Sequence, residues 1–269
     1  MCATCGVEHA EATGTCVICA DERQWIPAAG QVWTSLRELR DTGHRVVIEE
    51  LEPGLQGLRV EPSVGIGQQA HLVVTPRGSV LWDVPPFIDR PAVDRIRAHA
   101  PVLAIVASHP HMFGVQSAWS HALEQAPILV CEPLLDWVQR PDAAISSWRG
   151  RHELAPGLVL YELGGHFTGS SVLHWAAGAA GRGVLLSSDT IHGNPDGASV
   201  TFMRSYPNRI PLSGAVVERL AAGVAALPFD RLYDNFGRGP RRDAAAAVQR
   251  SAERYSAWVR GDFDDLTWA

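Results

Sequence analysis

A chain of 269 residues that is 46% hydrophobic and 19% charged has ordinary globular composition and enough length to bury a substantial core. A formal charge of −6 and a pI of about 6.0 argue against nucleic acid as a partner. No run of about 18 apolar residues is present, so no membrane span is expected.

The first motif in chain order is a pair of Cys-x-x-Cys knuckles, Cys2-Ala-Thr-Cys5 and Cys16-Val-Ile-Cys19, ten residues apart. Four thiolates make the closed tetrahedral set that suits structural zinc, with rubredoxin-like iron as the alternative metal. Gly6 and Gly14 give the short intervening loop room to turn. Two disulfides are the rival reading. The chain opens without a charged segment followed by an apolar one, so no secretory signal supports them. Four metal-binding thiols then point to a reducing cytoplasm. Glu8, Glu11, Asp21 and Glu22 stand against Arg23, whereas a ribbon that grips phosphates carries the opposite balance. The fifth cysteine, Cys131, closes the apolar run Ile128-Leu-Val-Cys131 and reads as a small buried residue.

Residues 1–25 are therefore expected as a zinc-ribbon-like module, too small to fold without its metal. Residues 26–44 form a linker with a short helix, Thr34 to Gly43, that has a hydroxyl N-cap and a glycine stop. The main domain is placed at 45–269. It begins with a meander of strands at 45–51, 57–61, 70–75 and 79–83, separated by Pro and Gly. Alternation follows: helix 91–99, strand 102–107, helix 115–125, strand 127–131 and helix 133–139. Strands return at 158–163, 171–176 and 183–188, then helix 213–226, strand 230–233 and a long helix at 241–260. No internal repeat relates the two β-rich halves.

Four residues in that pattern stand where an apolar run gives way to a loop. His109 and His111 follow Val102-Leu-Ala-Ile-Val-Ala-Ser, His166 lies in Gly164-Gly-His-Phe-Thr-Gly169, and Asp189 ends Val184-Leu-Leu-Ser-Ser-Asp189. Residues at strand ends project into the mouth of a sheet, where imidazole and carboxylate are the ligands a catalytic zinc uses when one position stays open for water. Pro110 favours extended backbone before it, which is expected to put residues 109 and 111 on the same side.

These motifs resemble the metallo-β-lactamase-fold hydrolase superfamily across roughly residues 45 to 240. Its first motif, His-x-His-x-Asp-His, is matched by His109-Pro-His-Met-Phe-Gly114. A later Gly-His-x-x-Gly-Ser is matched by Gly165-His-Phe-Thr-Gly-Ser170, and the strand-end Asp by Asp189. The resemblance implies an α/β, four-layer αβ/βα sandwich behind the small ribbon. Two departures follow. Phe113 and Gly114 replace the Asp and His that usually hold a second metal, and around Tyr233-Asp-Asn-Phe236 no late histidine appears. The expected centre is therefore mononuclear, held by His109, His111, His166 and Asp189.

The chemistry expected of such a centre is hydrolysis by a zinc-bound hydroxide, with Asp189 completing the shell or accepting the water's proton. Without a second metal to stabilise the leaving group, a small-molecule ester, thioester or lactone fits better than an unactivated phosphodiester. The alternatives are a non-catalytic metal-binding or regulatory protein on the same fold, and an iron-dependent oxygenase of the superfamily using the same ligands. His192, three residues past Asp189, is a candidate supporting residue or proton carrier. His174 reads as structural within a strand and His121 as helical; His9, His44, His71, His99 and His152 read as surface or turn positions. Trp119, Trp137 and Trp148 read as packing residues, with Trp137 close enough to a strand end to line the pocket.

Overall fold

Short apolar runs broken by Pro and Gly fold, between residues 45 and 82, into a four-strand antiparallel meander. The computed structural model describes residues 1–99 and 101–268; Ala100 and Ala269, where the expected main domain ends, lie outside the described residues. Before the meander come the short helices α1 (Val17–Ala20) and α2 (Leu36–Asp41). α2 starts in a capping box, Ser35 accepting from Glu38 N while the Glu38 carboxylate accepts from Ser35 N. The meander itself is β1 (Arg45–Glu52), β2 (Leu55–Glu61), β3 (Ala70–Thr75) and β4 (Gly78–Trp82).

Helix α3 (Arg90–Arg97), capped by Asp89, leads into β5 (Val102–Val106). Helix α4 (Gln116–Ala122), β6 (Ile128–Cys131) and β7 (Ile145–Trp148) follow, and β5, β6 and β7 each add in parallel. The result is a seven-stranded sheet in sequence order. The second sheet uses β8 (Arg151–Ala155), β9 (Leu158–Glu162) and β10 (Ser171–Trp175), then, past the short α5 (Gly178–Gly181), β11 (Val184–Leu186). Two small ribbons pair β12 (His192–Gly193) with β13 (Val200–Thr201) and β14 (Met203–Ser205) with β15 (Ile210–Pro211). Helix α6 (Gly214–Val224), β16 (Arg231–Tyr233) and α7 (Ala244–Arg260) complete the order; β16 joins β11 in parallel at the edge of a five-stranded sheet.

Period-two alternation decides which layer each residue serves. Leu173, Val184, Leu186 and Tyr233 face the core shared with the seven-stranded sheet, whereas Val172, Leu185 and Leu232 face Val217, Leu220, Val224 and Val248 of α6 and α7. Helices thus cover the far face of each sheet, giving the four-layer αβ/βα sandwich. The N-terminal segment joins the larger core directly, because Cys2, Cys5, Val7, Cys16, Ile18 and Cys19 belong to the same buried cluster as Leu81 and Ile105. Glu52, at the end of β1, ties the two sheets together. Its carboxylate accepts from Arg231 Nη1 at 2.8 Å, Tyr233 OH at 3.0 Å and Ala179 N at 3.0 Å.

Three local expectations change. Residues 132–137 form a 3-10 turn, not an α-helix over 133–139; Pro133 donates no backbone hydrogen bond, and Val138 is already extended. The strands β7 and β8 fall where no strand was expected, their patterns being half-exposed and polar (Ser146-Ser147, Arg151-His-Glu). His71 is not at the surface: it lies on β3, 1% exposed, with Nε2 3.3 Å from Gln69 Nε2.

Candidate metal centre

β5 and β11 each run buried to their ends and stop at the same edge of the sandwich. Past β5, Ser108 N donates to Asp83 Oδ1 at 2.8 Å, which fixes the backbone where His109 leaves the sheet. Burial pushes the Asp83 carboxyl up to about 6. His109 is extended, but Pro110–Met112 form a 3-10 turn, so the histidine pair converges through a turn and not through the extended Pro110 backbone expected from the sequence. The two rings lie 5.1 Å apart, nearly perpendicular. His166 hangs from the β9–β10 loop, where Gly164 and Gly165 both have positive φ; a Cβ on Gly165 would meet Leu220 Cδ1 at 2.8 Å. Asp189 follows Ser188, which is itself in the left-handed region.

His109, His111, His166 and Asp189 each offer one ligand atom, and all four atoms lie within 4.8 Å of one another. The Asp189 Oδ2 atom is 3.3 Å from His109 Nε2 and 3.8 Å from His166 Nε2. A tetrahedral site with metal–nitrogen bonds near 2.0–2.1 Å has edges of about 3.3 Å, so the spacing fits an ion. The three Nε2 atoms and Asp189 Oδ1 are buried without a hydrogen-bond partner among the described residues, and lone pairs left so call for a donor or a cation. Two of the opposite ring nitrogens are held. His166 Nδ1 donates to the Met203 carbonyl at 3.1 Å, which leaves a lone pair on Nε2, and His109 Nδ1 meets Ser108 Oγ at 2.9 Å.

The electrostatics favour neutral ligands. Burial, reinforced by the His109 and His166 rings, pushes His111 well below its ordinary value, and burial takes His166 down to about 3. Burial opposes the Asp189 charge, yet the nearby His109 and His192 rings hold its carboxyl well below the usual range. His192, at the start of β12, has Nδ1 3.5 Å from Asp189 Oδ1 and 3.2 Å from Asp234 Oδ2. Its own burial would lower it, but the two carboxylates outweigh that and raise it. Tyr206 closes one side, its OH donating to the Asp189 carbonyl at 3.1 Å and its ring 4.5 Å from that of His192.

Asp234 was missed in the sequence, although it follows β16 as Asp189 follows β11; a search for a late histidine passes over it. Three backbone amides, of Gly193, Phe236 and Arg238, donate to its carboxylate.

The cysteines form a second cluster. All four Sγ atoms lie within 4.8 Å of one another and every thiol is free, so the disulfide reading fails. Cys2–Cys19 and Cys5–Cys16 Sγ separations of 3.6 and 3.8 Å match the edge of about 3.8 Å expected for a tetrahedron with metal–sulfur bonds near 2.3 Å. Gln31 Nε2 donates to Cys2 Sγ at 3.2 Å, and His9 Nε2 lies 3.4 Å from Cys16 Sγ. Close contact with Cys19, Cys2, Cys5 and then His9 holds Cys16 below the ordinary thiol range. Cys131 is buried apart from this cluster, as its apolar run predicts.

The layers are those of the metallo-β-lactamase fold. Solved structures of that fold superpose on the chain. The DIM-1 metallo-β-lactamase does so with a TM-score of 0.58 at 13% identity, covering 78% of this chain and 98% of that one. FIM-1 from Pseudomonas aeruginosa, in a mono-zinc form, has a TM-score of 0.57 at 14% identity, covering 78% and 96%. A B3 metallo-β-lactamase with an active-site glutamic acid covers 88% of this chain and 97% of its own at a TM-score of 0.54 and 13% identity. No protein-family model matches the chain. In sequence it is 43% identical over 260 residues to the uncharacterized protein YmaE of Bacillus subtilis strain 168, covering 95% of this chain and 94% of that protein, and it belongs to the YmaE family. No helix among the described residues is long and apolar enough to cross a membrane.

Proposed function

We propose that the protein is a metal-dependent hydrolase with one open zinc centre, held by His109, His111, His166 and Asp189, and one closed structural zinc, held by Cys2, Cys5, Cys16 and Cys19. The observation that carries this reading is the convergence of four buried groups, three imidazoles and one carboxylate, each offering a ligand atom within 4.8 Å of the others. A divalent cation held by these four residues would supply Lewis acidity and lower the pKa of water there toward neutrality. The chain's own residues do the rest. Asp189 turns Oδ2 toward the histidines and Oδ1 toward His192, so it can hold a proton released at the centre and pass it to His192 Nδ1. Asp234 meets the same Nδ1 at 3.2 Å and stabilises the protonated imidazole beside Asp189, and its backbone donors keep it in place.

The substrate class is an ester, thioester or lactone. Hydrolysis adds one water across the acyl bond: the hydroxyl goes to the acyl carbon and the proton to the departing oxygen or sulfur. His192, 9% exposed and next to the exposed Phe236, would supply that proton in this reading.

The test is metal analysis of protein purified without added metal, followed by a panel of activated esters, thioesters and lactones with wild type and Asp189→Asn. Two metals per chain and a turnover loss of about 10²–10⁴-fold in the variant, larger than its loss of metal, are expected. Metal-replete protein that hydrolyses no member of the panel would overturn the hydrolase reading. Three tightly bound metals would overturn the single open centre.

A further inference from the structure

We infer that Arg23 is a positioning residue for His166, through which the N-terminal cysteine site sets the metal affinity of the histidine centre. The inference rests on the metal-centre reading above. Arg23 lies four residues past Cys19, beyond α1, and is only 7% exposed. Its guanidinium fork is gripped by Asp21, Nε to Oδ1 at 2.5 Å and Nη2 to Oδ2 at 2.8 Å. The remaining nitrogen, Nη1, donates to the His166 carbonyl at 3.3 Å. The same guanidinium sits 3.6 Å over the ring of Phe167, the next residue, and 5.4 Å from that of Trp137. One cation thus holds both the backbone and the flanking side chain of a candidate ligand.

The grip is doubled through β14. Met203 O accepts from His166 Nδ1, and two residues on, Ser205 Oγ donates to Arg23 O at 3.1 Å. Asn208 Nδ2 donates to the carbonyls on either side, of Glu22 and Gln24, and Arg204 pairs with Glu22. Segment 21–24 is therefore welded at one end to the loop that aims His166. At its other end it begins where α1 stops, and α1 spans the second knuckle between Cys16 and Cys19. This four-residue helix has no side-chain cap and buries only Ile18 and Cys19, so the cysteines and one core side chain hold it. When the cysteine site is filled, α1, Asp21 and Arg23 are fixed in turn, and His166 Nε2 stays aimed at the other donors. When it is empty, Arg23 is released and that aim loosens.

Cobalt(II) separates the two sites, because thiolate ligation gives an intense charge-transfer band while the histidine site contributes only weaker d–d bands. Apo protein would be titrated with cobalt as wild type, Arg23→Ala, Arg23→Lys and Arg140→Ala. Arg140 anchors the N-terminal segment too, through Glu8, but does not touch the histidine loop. Arg23→Ala is expected to weaken the histidine site about 10–100-fold and alter its d–d bands, leaving the charge-transfer band unchanged. Arg23→Lys should behave more like Ala than like wild type, since a point charge cannot replace a fork that stacks and bonds at once. Arg140→Ala should leave the d–d bands and the affinity as they are. Unchanged affinity and d–d bands in Arg23→Ala would overturn the inference alone, as would equal weakening by Arg140→Ala. Wild type that binds no cobalt at the histidines would overturn the metal-centre reading and the inference together.

Discussion

The two clusters contain four buried donors each, yet with an ion bound they would do opposite work. Four thiolates around a divalent ion leave a net negative site with no open position, and the hydrogen-bond donors near them, Gln31 Nε2 and His9, offset charge at sulfur. Three neutral imidazoles and one carboxylate leave the ion net positive and able to polarise what it meets. The outer atoms differ in the same sense. Ser108 and the Met203 carbonyl fix which imidazole nitrogen faces inward, whereas nothing of that kind is needed at a thiolate. The number of donors says little about role; their charge and what holds them from behind say most of it.

Origin in the chain separates them as well. The cysteines span residues 2–19 and depend on short-range folding, while the histidine set spans 109–189 and depends on two sheets being docked. Cys16→Ser should therefore cause the largest change: loss of one tightly bound metal and about 4 kcal/mol or more of stability, roughly 10 °C in Tm, read by metal analysis and thermal unfolding. A variant that keeps both metals and its Tm would erase the contrast. His109→Ala or His166→Ala should empty the other centre with a smaller fall in Tm, because both sheets remain packed. His192→Ala should retain metal; equal metal loss in all three would move His192 into the ligand set.

His71 is a buried histidine outside both clusters. Burial takes His71 down to about 3 from its ordinary 6.5, and no carboxylate faces it to compensate. Between those values the unfolded chain binds the proton and the folded chain does not, so stability falls as pH drops from 6.5 toward 3. By pH 5 this amounts to roughly 2 kcal/mol. His71→Phe should flatten that part of the stability profile, measured as Tm against pH beside wild type. An unchanged slope would mean that His71 is not held neutral.

Much of this was readable in the sequence for a physical reason. Strand-end histidines, glycines before His166 and a carboxylate after Ser188 are local signals, and so is the spacing of the cysteines. The missed parts depend on tertiary context. Arg23 looks like a lone cation in an acidic segment until Phe167, 144 positions later in the chain, is found beneath it. His71 looks like a surface histidine because β3 is buried on both faces, so alternation does not reveal it. The strands β7 and β8 carry too few apolar residues to announce themselves, being sheet edges.

The seam between the sheets is closed by short backbone bonds, Ser171 N to Ser108 O at 3.1 Å and Gln69 N to Asn235 O at 2.7 Å, and the histidine centre straddles it. His109 and His111 belong to one side, His166 and Asp189 to the other. An ion seated there acts as a bolt, and its residence time is tied to how often the seam parts. Exchange with a chelator should then reach a plateau rate independent of chelator concentration, and hydrogen exchange at Ser171 and Gln69 should quicken when the bolt is drawn.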